Sequence, residues 1–261
     1  MKSYTTSIHI YIFLLLGLIL LTGCQPKSTA TETPPTQDAT LEPSPVQEEN
    51  PLIINKDIFL DPALAEDDDS LKVSQYLYEG LVRLDANGEV QPALAESWVI
   101  SDDQLDYIFT LRSGIAFNDG TPITPDTIES NFNRWFDPEN PLHGNGSFSA
   151  WQRIFLGFHN EKDADQRAKS TVDGIQKVDA NTVLVHLNRP VPDLLTYLAD
   201  PAFAVLSIEA LSAGGYGGRD STIISSGPYV VTAWTDEGLI LSPNPKYWGT
   251  TPEGDLNFAW R

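Results

Sequence analysis

The sequence contains a single cysteine, Cys24, among 261 residues. One thiol excludes a disulfide within the chain and any metal site built from several cysteines. Positive charge is also scarce, because 16 Lys and Arg stand against 36 Asp and Glu, for a net charge of −20. Nucleic-acid binding depends on cations that neutralise phosphates, so this charge balance disfavours it. The same balance disfavours electrostatic attachment to anionic lipid.

Motifs of catalysis and of cofactor binding are missing as well. The sequence has no GxSxG nucleophile elbow and no P-loop, and its four histidines form no zinc-binding helix pair. Residues 225–227, Ser-Ser-Gly, lack the spacing of a nucleophile motif. The acidic run EDDD at 66–69 lacks the alternating Asp, the Gly and the terminal Glu of an EF-hand. We therefore expect no metal and no cofactor, and a binding or structural domain is favoured over an enzyme.

The N-terminus is typical of an exported protein. Residues 10–21 are almost entirely apolar, which is too short for a span of roughly 20 residues but fits a secretory signal. Thr22 and Gly23 then precede Cys24, and this ending resembles the lipobox of a bacterial lipoprotein. The resemblance implies a signal peptide over residues 1–23 and acylation of Cys24 as the new N-terminus. An ordinary signal peptide with an incidental cysteine is the alternative.

Residues 24–51 differ in composition from the rest of the chain. They are rich in Thr, Pro, Glu and Gln, and Leu41 and Val46 are their only large aliphatic residues. Such a segment buries too little apolar surface to offset its ordering entropy, so we predict a disordered tether. Residues 52–261 remain for a globular body, which is enough for one large domain or two small ones.

The body predicts a mixed fold of helices and hairpins without regular βαβ alternation. Thr124 followed by Pro125 and an acid is typical of a helix start, and Asn87-Gly88 fits a two-residue hairpin turn. Trp98 and Trp135 are expected in the core. The predicted strands and hairpins are 52–55, 82–92, 96–100, 106–112, 172–187, 202–207 and 227–244, and the predicted helices lie in 69–81, 124–135 and 191–199.

Five segments in order resemble the family 5 extracytoplasmic solute-binding proteins of ABC importers, which include oligopeptide, dipeptide and nickel binders. The segments are LYEGLVRLDANGEVQPALAESW, FTLRSGIAFNDGTPITPDTIESNFNRW, VDANTVLVHLNRPVPDLLTYLA, SSGPYVVTAW and LSPNPKYWG. The similarity covers about residues 60–249. Two positions depart from the family pattern: Asn118 stands where histidine is frequent, and Asp106 opens a strand where a small or β-branched residue is usual.

The resemblance implies a fold and a function. The fold is α/β (mixed α+β), periplasmic-binding-protein-like class II, in which two lobes close over a ligand. The chain stops where the family's chain enters its second lobe, so we expect residues 52–261 to be the first lobe, with the second absent. The implied function is a lipid-anchored, monomeric component that captures peptides or a similar small solute outside the cytoplasm and delivers it to an ABC permease and ATPase. A secreted lipoprotein hydrolase and a sensory binding protein on this fold remain alternatives, and the solute stays open.

The resemblance also implies which loops approach a ligand. They are the acidic run before LYEGL, the start of GPY, the PKYWG turn and a region that flanks the pocket. Helix capping, a tight turn and hinge packing are competing structural roles for the first three. The predicted ligand-binding residues are Glu66, Asp67, Asp68, Asp69, Phe148, Trp151, Ser226, Gly227 and Tyr247.

Overall fold

The computed structural model describes residues 50–261; Cys24, the predicted signal peptide and nearly all of the predicted tether lie outside them. The helices are α1 (Asp68–Leu77), α2 (Pro125–Phe136), α3 (Ser149–Phe155), α4 (Leu194–Leu198) and α5 (Ile208–Ser212), with a 3-10 turn at Pro201–Phe203. The strands are β1 (Leu52–Ile54), β2 (Val82–Leu84), β3 (Val90–Pro92), β4 (Ala95–Ile100), β5 (Asp106–Leu111), β6 (Val172–Lys177), β7 (Thr182–Leu187), β8 (Tyr229–Trp234), β9 (Gly238–Pro243) and β10 (Leu256–Trp260). This mixture confirms the predicted fold class.

The strands form two four-stranded sheets and one hairpin. One sheet has the order β4-β5-β7-β6 and is antiparallel throughout. The other has the order β1-β10-β9-β8, in which β1 and β10 are parallel. The hairpin pairs β2 with β3. Because β1 and β10 are far apart in sequence, their pairing brings the two ends of the described region together.

A first hydrophobic cluster lies beneath the β4-β5-β7-β6 sheet. Alternate residues of β5 and β7 point into it, as the period of two in DYIFTL and TVLVHL requires. Helix α2 packs against β6 and β7 and adds Phe132 and Trp135. Trp135 is buried as predicted, whereas Trp98 is partly buried at the margin of the cluster.

Helix α2 begins where the local sequence predicts. Thr124 is its N-cap and Pro125 its first residue, and Thr124 and Thr127 exchange hydrogen bonds between side chain and backbone. This reciprocal cap satisfies amide groups that have no partner inside the helix. The cap therefore fixes the direction in which α2 enters the first cluster.

A second hydrophobic cluster lies between α1, α5 and the β1-β10-β9-β8 sheet. Val73 and Leu77 of α1 belong to it together with Leu239 and Leu241 of β9. Ile58, Leu60 and Tyr216 are further members of this cluster. The chain passes from the second cluster to the first between Tyr78 and Leu81, and residues 203–206 alternate between the first and the second.

A buried ion pair fixes the loop that leads to α1. Arg134 of α2 forms a bidentate contact with Asp61, with Nη1 at 3.2 Å from Oδ1, and both side chains are nearly inaccessible. Breaking one partner of such a pair leaves an uncompensated buried charge. The loop at residues 61–67 therefore has a defined position against α2.

The first hairpin differs from its prediction. Strands β2 and β3 form as expected, but residues 85–89 connect them instead of a two-residue turn. Only Gly88 has a positive φ, of 82°, and the amide of Gly88 donates to the carbonyl of Asp85. Asp85 and Glu89 are joined by a further backbone bond. The two-residue turn was wrong because Asn87 has a negative φ, and Gly88 alone supplies a left-handed position among the three residues, 86–88, that the bond between Asp85 and Glu89 encloses.

A second prediction is also wrong. Residues 202–207, AFAVLS, are buried as expected but form no strand; they lie in the 3-10 turn and an extended loop that leads to α5. A short apolar run indicates burial without specifying its backbone conformation.

Helices α3 and α5 were not predicted, since each is short and lacks a long apolar period. None of the helices between residues 50 and 261 has the length and apolar character needed to cross a bilayer.

Candidate functional site

The predicted ligand residues fall into two places, at opposite ends of α1. The acidic loop (residues 66–69) and the segment 147–151 lie near its N-terminus. Residues 226, 227 and 247 surround its C-terminal end.

Asp67 and Asp69 of the acidic loop have protein partners. Asp67 is the N-cap of α1: its Oδ1 accepts from the Ser70 amide at 2.8 Å and its Oδ2 from the Ser70 hydroxyl at 2.6 Å. Asp69 Oδ2 accepts from the Asn55 amide and from Arg261 Nη2, both at 2.8 Å. Asp67 therefore caps the helix, and Asp69 joins α1 to the ends of β1 and β10.

Glu66 and Asp68 are the exposed members of the acidic loop. Glu66 Oε1 accepts from the hydroxyls of Ser147 and Ser149, each at 3.2 Å. Both serines are exposed, and Gln152 Nε2 donates to the Ser147 carbonyl at 2.6 Å. Glu66 thus forms an exposed polar rim with two hydroxyl groups from the start of α3.

Phe148 and Trp151 lie inside the first hydrophobic cluster. The Phe148 ring stacks on His143 with centroids 4.3 Å apart, although its φ of 44° is in the left-handed region that bulky residues rarely adopt. Trp151 Nε1 donates to the Gly157 carbonyl at 3.0 Å, and its ring packs against Phe155. These rings hold the backbone that presents Ser147 and Ser149, and their predicted contact with a ligand stays a prediction.

Ser226 and Gly227 hold the C-terminal end of α1. Ser226 Oγ accepts from the Glu79 amide at 3.0 Å and donates to the Val205 carbonyl at 3.3 Å, and its side chain is fully buried. The Gly227 amide donates to the Leu77 carbonyl at 2.8 Å. A Cβ on Gly227 would lie 2.7 Å from the carbonyl carbon of Leu77, so only glycine fits. Ser226 therefore contacts the backbone of Glu79, and Gly227 contacts the end of α1 just before it.

Tyr247 contacts Glu79 directly. The Tyr247 hydroxyl donates to Glu79 Oε1 at 2.5 Å, and Arg83 Nη1 lies 3.8 Å from the same oxygen. Burial raises the pKa of the Glu79 carboxyl, while Tyr247, Arg83 and Arg112 oppose that shift. The pKa of Tyr247 is raised by burial and by the neighbouring carboxylate. The pair therefore keeps the tyrosine hydroxyl protonated as a donor to Glu79.

A groove of about 660 Å³ lies beside this pair. We call it the Glu79 groove; it is lined by the end of α1, strand β2, helix α4, the turn that follows α4, and Tyr247. Trp248 lies next to Tyr247, and the Arg112 guanidinium stacks over its ring at 4.1 Å. The groove lies where the chain crosses between the two hydrophobic clusters.

Sequence reasoning missed Ser147, Ser149 and Glu79. A possible signal for Glu79 is that it stands alone between Tyr78 and the apolar residues after Gly80, where an acid is unexpected. The serines carry no such signal, because their role depends on a contact with Glu66 that is more than 80 residues away. Within residues 50–261, no group of His, Cys, Asp and Glu has a geometry that could hold a metal ion.

The chain matches a known family over most of its described region. The family model for bacterial extracellular solute-binding proteins, family 5 (middle region), matches residues 89–256. The Escherichia coli K12 probable deoxycholate-binding periplasmic protein YgiS is 34% identical over 194 residues, which are 72% of this chain and 35% of YgiS. The periplasmic murein peptide-binding protein MppA of the same strain is 31% identical over 192 residues, 72% of this chain and 34% of MppA.

A solved structure shows a similar fold. HbpA2 from Haemophilus parasuis superposes with a TM-score of 0.69 at 29% identity, over 81% of this chain and 43% of that chain. The chain spans about a third of the length of the two curated relatives above. The family match nevertheless covers more than half of the present chain. The chain therefore belongs to the family 5 bacterial extracellular solute-binding proteins.

Proposed function

We propose that this chain is a solute-binding component of an ABC importer. It captures a peptide or a similar small solute outside the cytoplasm and delivers it to the permease, which an ATPase drives. The observation that carries the proposal is the family match over residues 89–256. Relatives named for a murein peptide and for deoxycholate share this fold, so the fold supports a binding role without defining the solute.

We further propose that the rim around Glu66 receives the positively charged amino end of a peptide. The two serine hydroxyls both donate to Oε1, and no hydrogen bond within residues 50–261 reaches Oε2. A free ammonium group could bond to Oε2 in a charge-assisted contact, which is stronger than a neutral one. The net charge of −20 would favour the approach of cationic groups at low salt.

The predicted anchor completes the proposal. Removal of residues 1–23 would leave Cys24 acylated, and residues 24–51 would let the folded body stand away from the membrane. One acyl chain gives only marginal attachment, so stable residence requires more than one. The protein would act as a monomer and leave its solute chemically unchanged.

Calorimetric titration of the full chain with trialanine tests the Glu66 proposal. We expect trialanine to bind, N-acetyl-trialanine to bind about tenfold more weakly, and Glu66→Gln to weaken trialanine binding by a similar factor, since tenfold is about 1.4 kcal/mol. Glu139→Gln is the matched control, because Glu139 is also exposed.

Equal affinity for the free and acetylated peptides would contradict the role of Glu66. Binding of neither peptide would contradict the peptide part of the proposal.

A further inference from the structure

The Glu79 groove is distinct from the rim at Glu66, and the proposed contact between Glu66 and the amino end of a peptide does not use it. It lies at the other end of α1, between Tyr78 and Ala204 of the second cluster and Val82 of the first. Clefts between packed units are where small-molecule sites most often occur. Its volume of about 660 Å³ is also within the range of such sites.

Glu79 is a buried charged group on the wall of this groove. Its side chain is only 7% exposed, and isolated carboxylates are rarely buried to that extent. The backbone is fixed on both sides, because the Glu79 amide donates to Ser226 Oγ and its carbonyl accepts from the Val205 amide at 2.9 Å. The carboxylate is therefore held rigidly in place.

The two oxygens of Glu79 are used unequally. Oε1 accepts from Tyr247 and faces Arg83, as described above. Within residues 50–261 no hydrogen bond reaches Oε2, and this oxygen is not enclosed by protein. Oε2 therefore keeps its acceptor capacity on a residue that lines the groove and whose other carboxylate oxygen is held by Tyr247.

The remaining lining favours a cation with a short apolar body. Asp200 lines the groove from the end of α4, and its contact with the exposed Arg153 is loose, at 3.6 Å. Leu84, which is 42% exposed, and Pro201 supply apolar surface. Arg83, the cation of the lining, lies 3.8 Å from Glu79 Oε1, so an anion in the groove would meet this one cation together with the carboxylates of Glu79 and Asp200.

We propose that the Glu79 groove is a second binding site, for a small organic cation whose ammonium or guanidinium group donates to Glu79 Oε2. The apolar part of the cation lies against Leu84 and Pro201, and Asp200 also lines the groove. Tyr247 and Ser226 act as positioning residues, because they fix the carboxylate and do not contact the cation. The site would operate independently of solute binding at Glu66.

The test uses n-butylammonium as the probe and the full ¹⁵N-labelled chain in non-ionic detergent. We expect saturable shifts of the Gly80 amide and of the Trp248 indole N–H, with a dissociation constant in the millimolar range, as the size of so small a ligand allows. 1-Butanol has the same number of heavy atoms without the charge, and we expect no saturable shift from it. Butyrate is expected to leave both signals unchanged.

Two variants locate the site. Glu79→Gln keeps the shape of the side chain and is expected to weaken n-butylammonium binding at least tenfold, while Glu139→Gln leaves it unchanged. If Glu79→Gln fails to fold, Asp200→Asn provides the test instead, and we expect it to lower the affinity for n-butylammonium about threefold.

Three results would overturn the proposal. They are equal binding of 1-butanol and n-butylammonium, saturable binding of butyrate at the same residues, or unchanged affinity in whichever of the two variants folds.

Discussion

At the scale of single residues, the most constrained positions lie around the C-terminal end of α1. Ser226, Gly227 and Tyr247 come from segments distant in sequence, and each contacts residues 77–79. Ser226 and Tyr247 bond to Glu79, and Gly227 bonds to Leu77. Tests at the scale of single residues should therefore remove or disturb these contacts.

Gly227→Ala is expected to lower the free energy of unfolding by about 1–3 kcal/mol, the usual range for inserting a methyl group where packing is tight. The new Cβ would lie 2.7–2.9 Å from backbone atoms of Leu77 and Tyr78, which cannot rotate away. Gly174→Ala is the matched control, because a Cβ there has no neighbour within 4 Å. Urea unfolding measures both, and equal losses would contradict the account of Gly227.

The pKa of Glu79 leads to a pH-dependent stability. Burial raises this pKa above its ordinary value of 4.5. At a pH between 4.5 and the pKa of the folded state, Glu79 is therefore protonated in the folded chain and ionised in the unfolded chain. The stability that this proton confers is complete below about pH 4.5 and is lost as the pH rises through the folded pKa.

The experiment compares the wild type with Glu79→Gln, which cannot titrate. The unfolding free energy of the wild type minus that of the variant is expected to fall as the pH rises from 4.5, measured by urea unfolding at several pH values. Glu139→Gln should show no such trend. A difference that stays constant or increases with pH would mean that burial does not control the ionisation of Glu79.

At the scale of elements, α1 connects the two places where ligand residues were predicted. Its N-terminus carries the acidic loop and contacts β1 and β10, and its C-terminus leads into Glu79. The four acids therefore have different duties, although they are adjacent in sequence. Variants can separate the helix cap at Asp67, the strand contacts of Asp69 and the proposed ligand contact of Glu66.

Asp67→Ala is expected to lower the free energy of unfolding by about 1 kcal/mol, the typical cost of losing an N-cap side chain. Asp68→Ala removes an exposed carboxylate from the first turn and should cost only a few tenths of a kcal/mol. Thermal unfolding followed by circular dichroism would measure both. A loss at Asp68 as large as that at Asp67 would contradict the assignment of the cap.

The elements that the sequence predicts correctly are those with local signals. Helix α2 follows from Thr124, Pro125 and an acid within three residues, and the strand pair β6-β7 follows from alternation on both sides of a polar turn. Residues 202–207 were misassigned because apolar composition indicates burial in a strand and in an extended loop alike. The bond between Glu79 and Tyr247 joins residues 168 positions apart, and no local pattern encodes it.

At the scale of the whole molecule, the chain belongs to a family of extracellular solute-binding proteins. A binding protein needs a shaped surface and no reacting group. The rim at Glu66 and the Glu79 groove are the two surfaces that we propose for binding. The predicted anchor at Cys24 would place both outside the cytoplasm.

The anchor can be tested because Cys24 is the single cysteine of the chain. Cells grown with an alkyne analogue of palmitate are expected to label the wild type and to leave Cys24→Ser unlabelled, as read by gel fluorescence after coupling to a dye. Thr22→Ser keeps a small residue before the cysteine and should retain the label. An unlabelled wild type, or a labelled Cys24→Ser variant, would contradict acylation at this position.

The central claim is that this chain binds a small solute and releases it unchanged. Native mass spectrometry of the full chain, purified gently in non-ionic detergent from the cells that make it, tests this most directly. The account predicts a second mass peak above that of the chain alone, and a small solute that is recovered intact after denaturation. A chain that carries no solute and takes up none from a pool of peptides, or a solute recovered in chemically altered form, would contradict it.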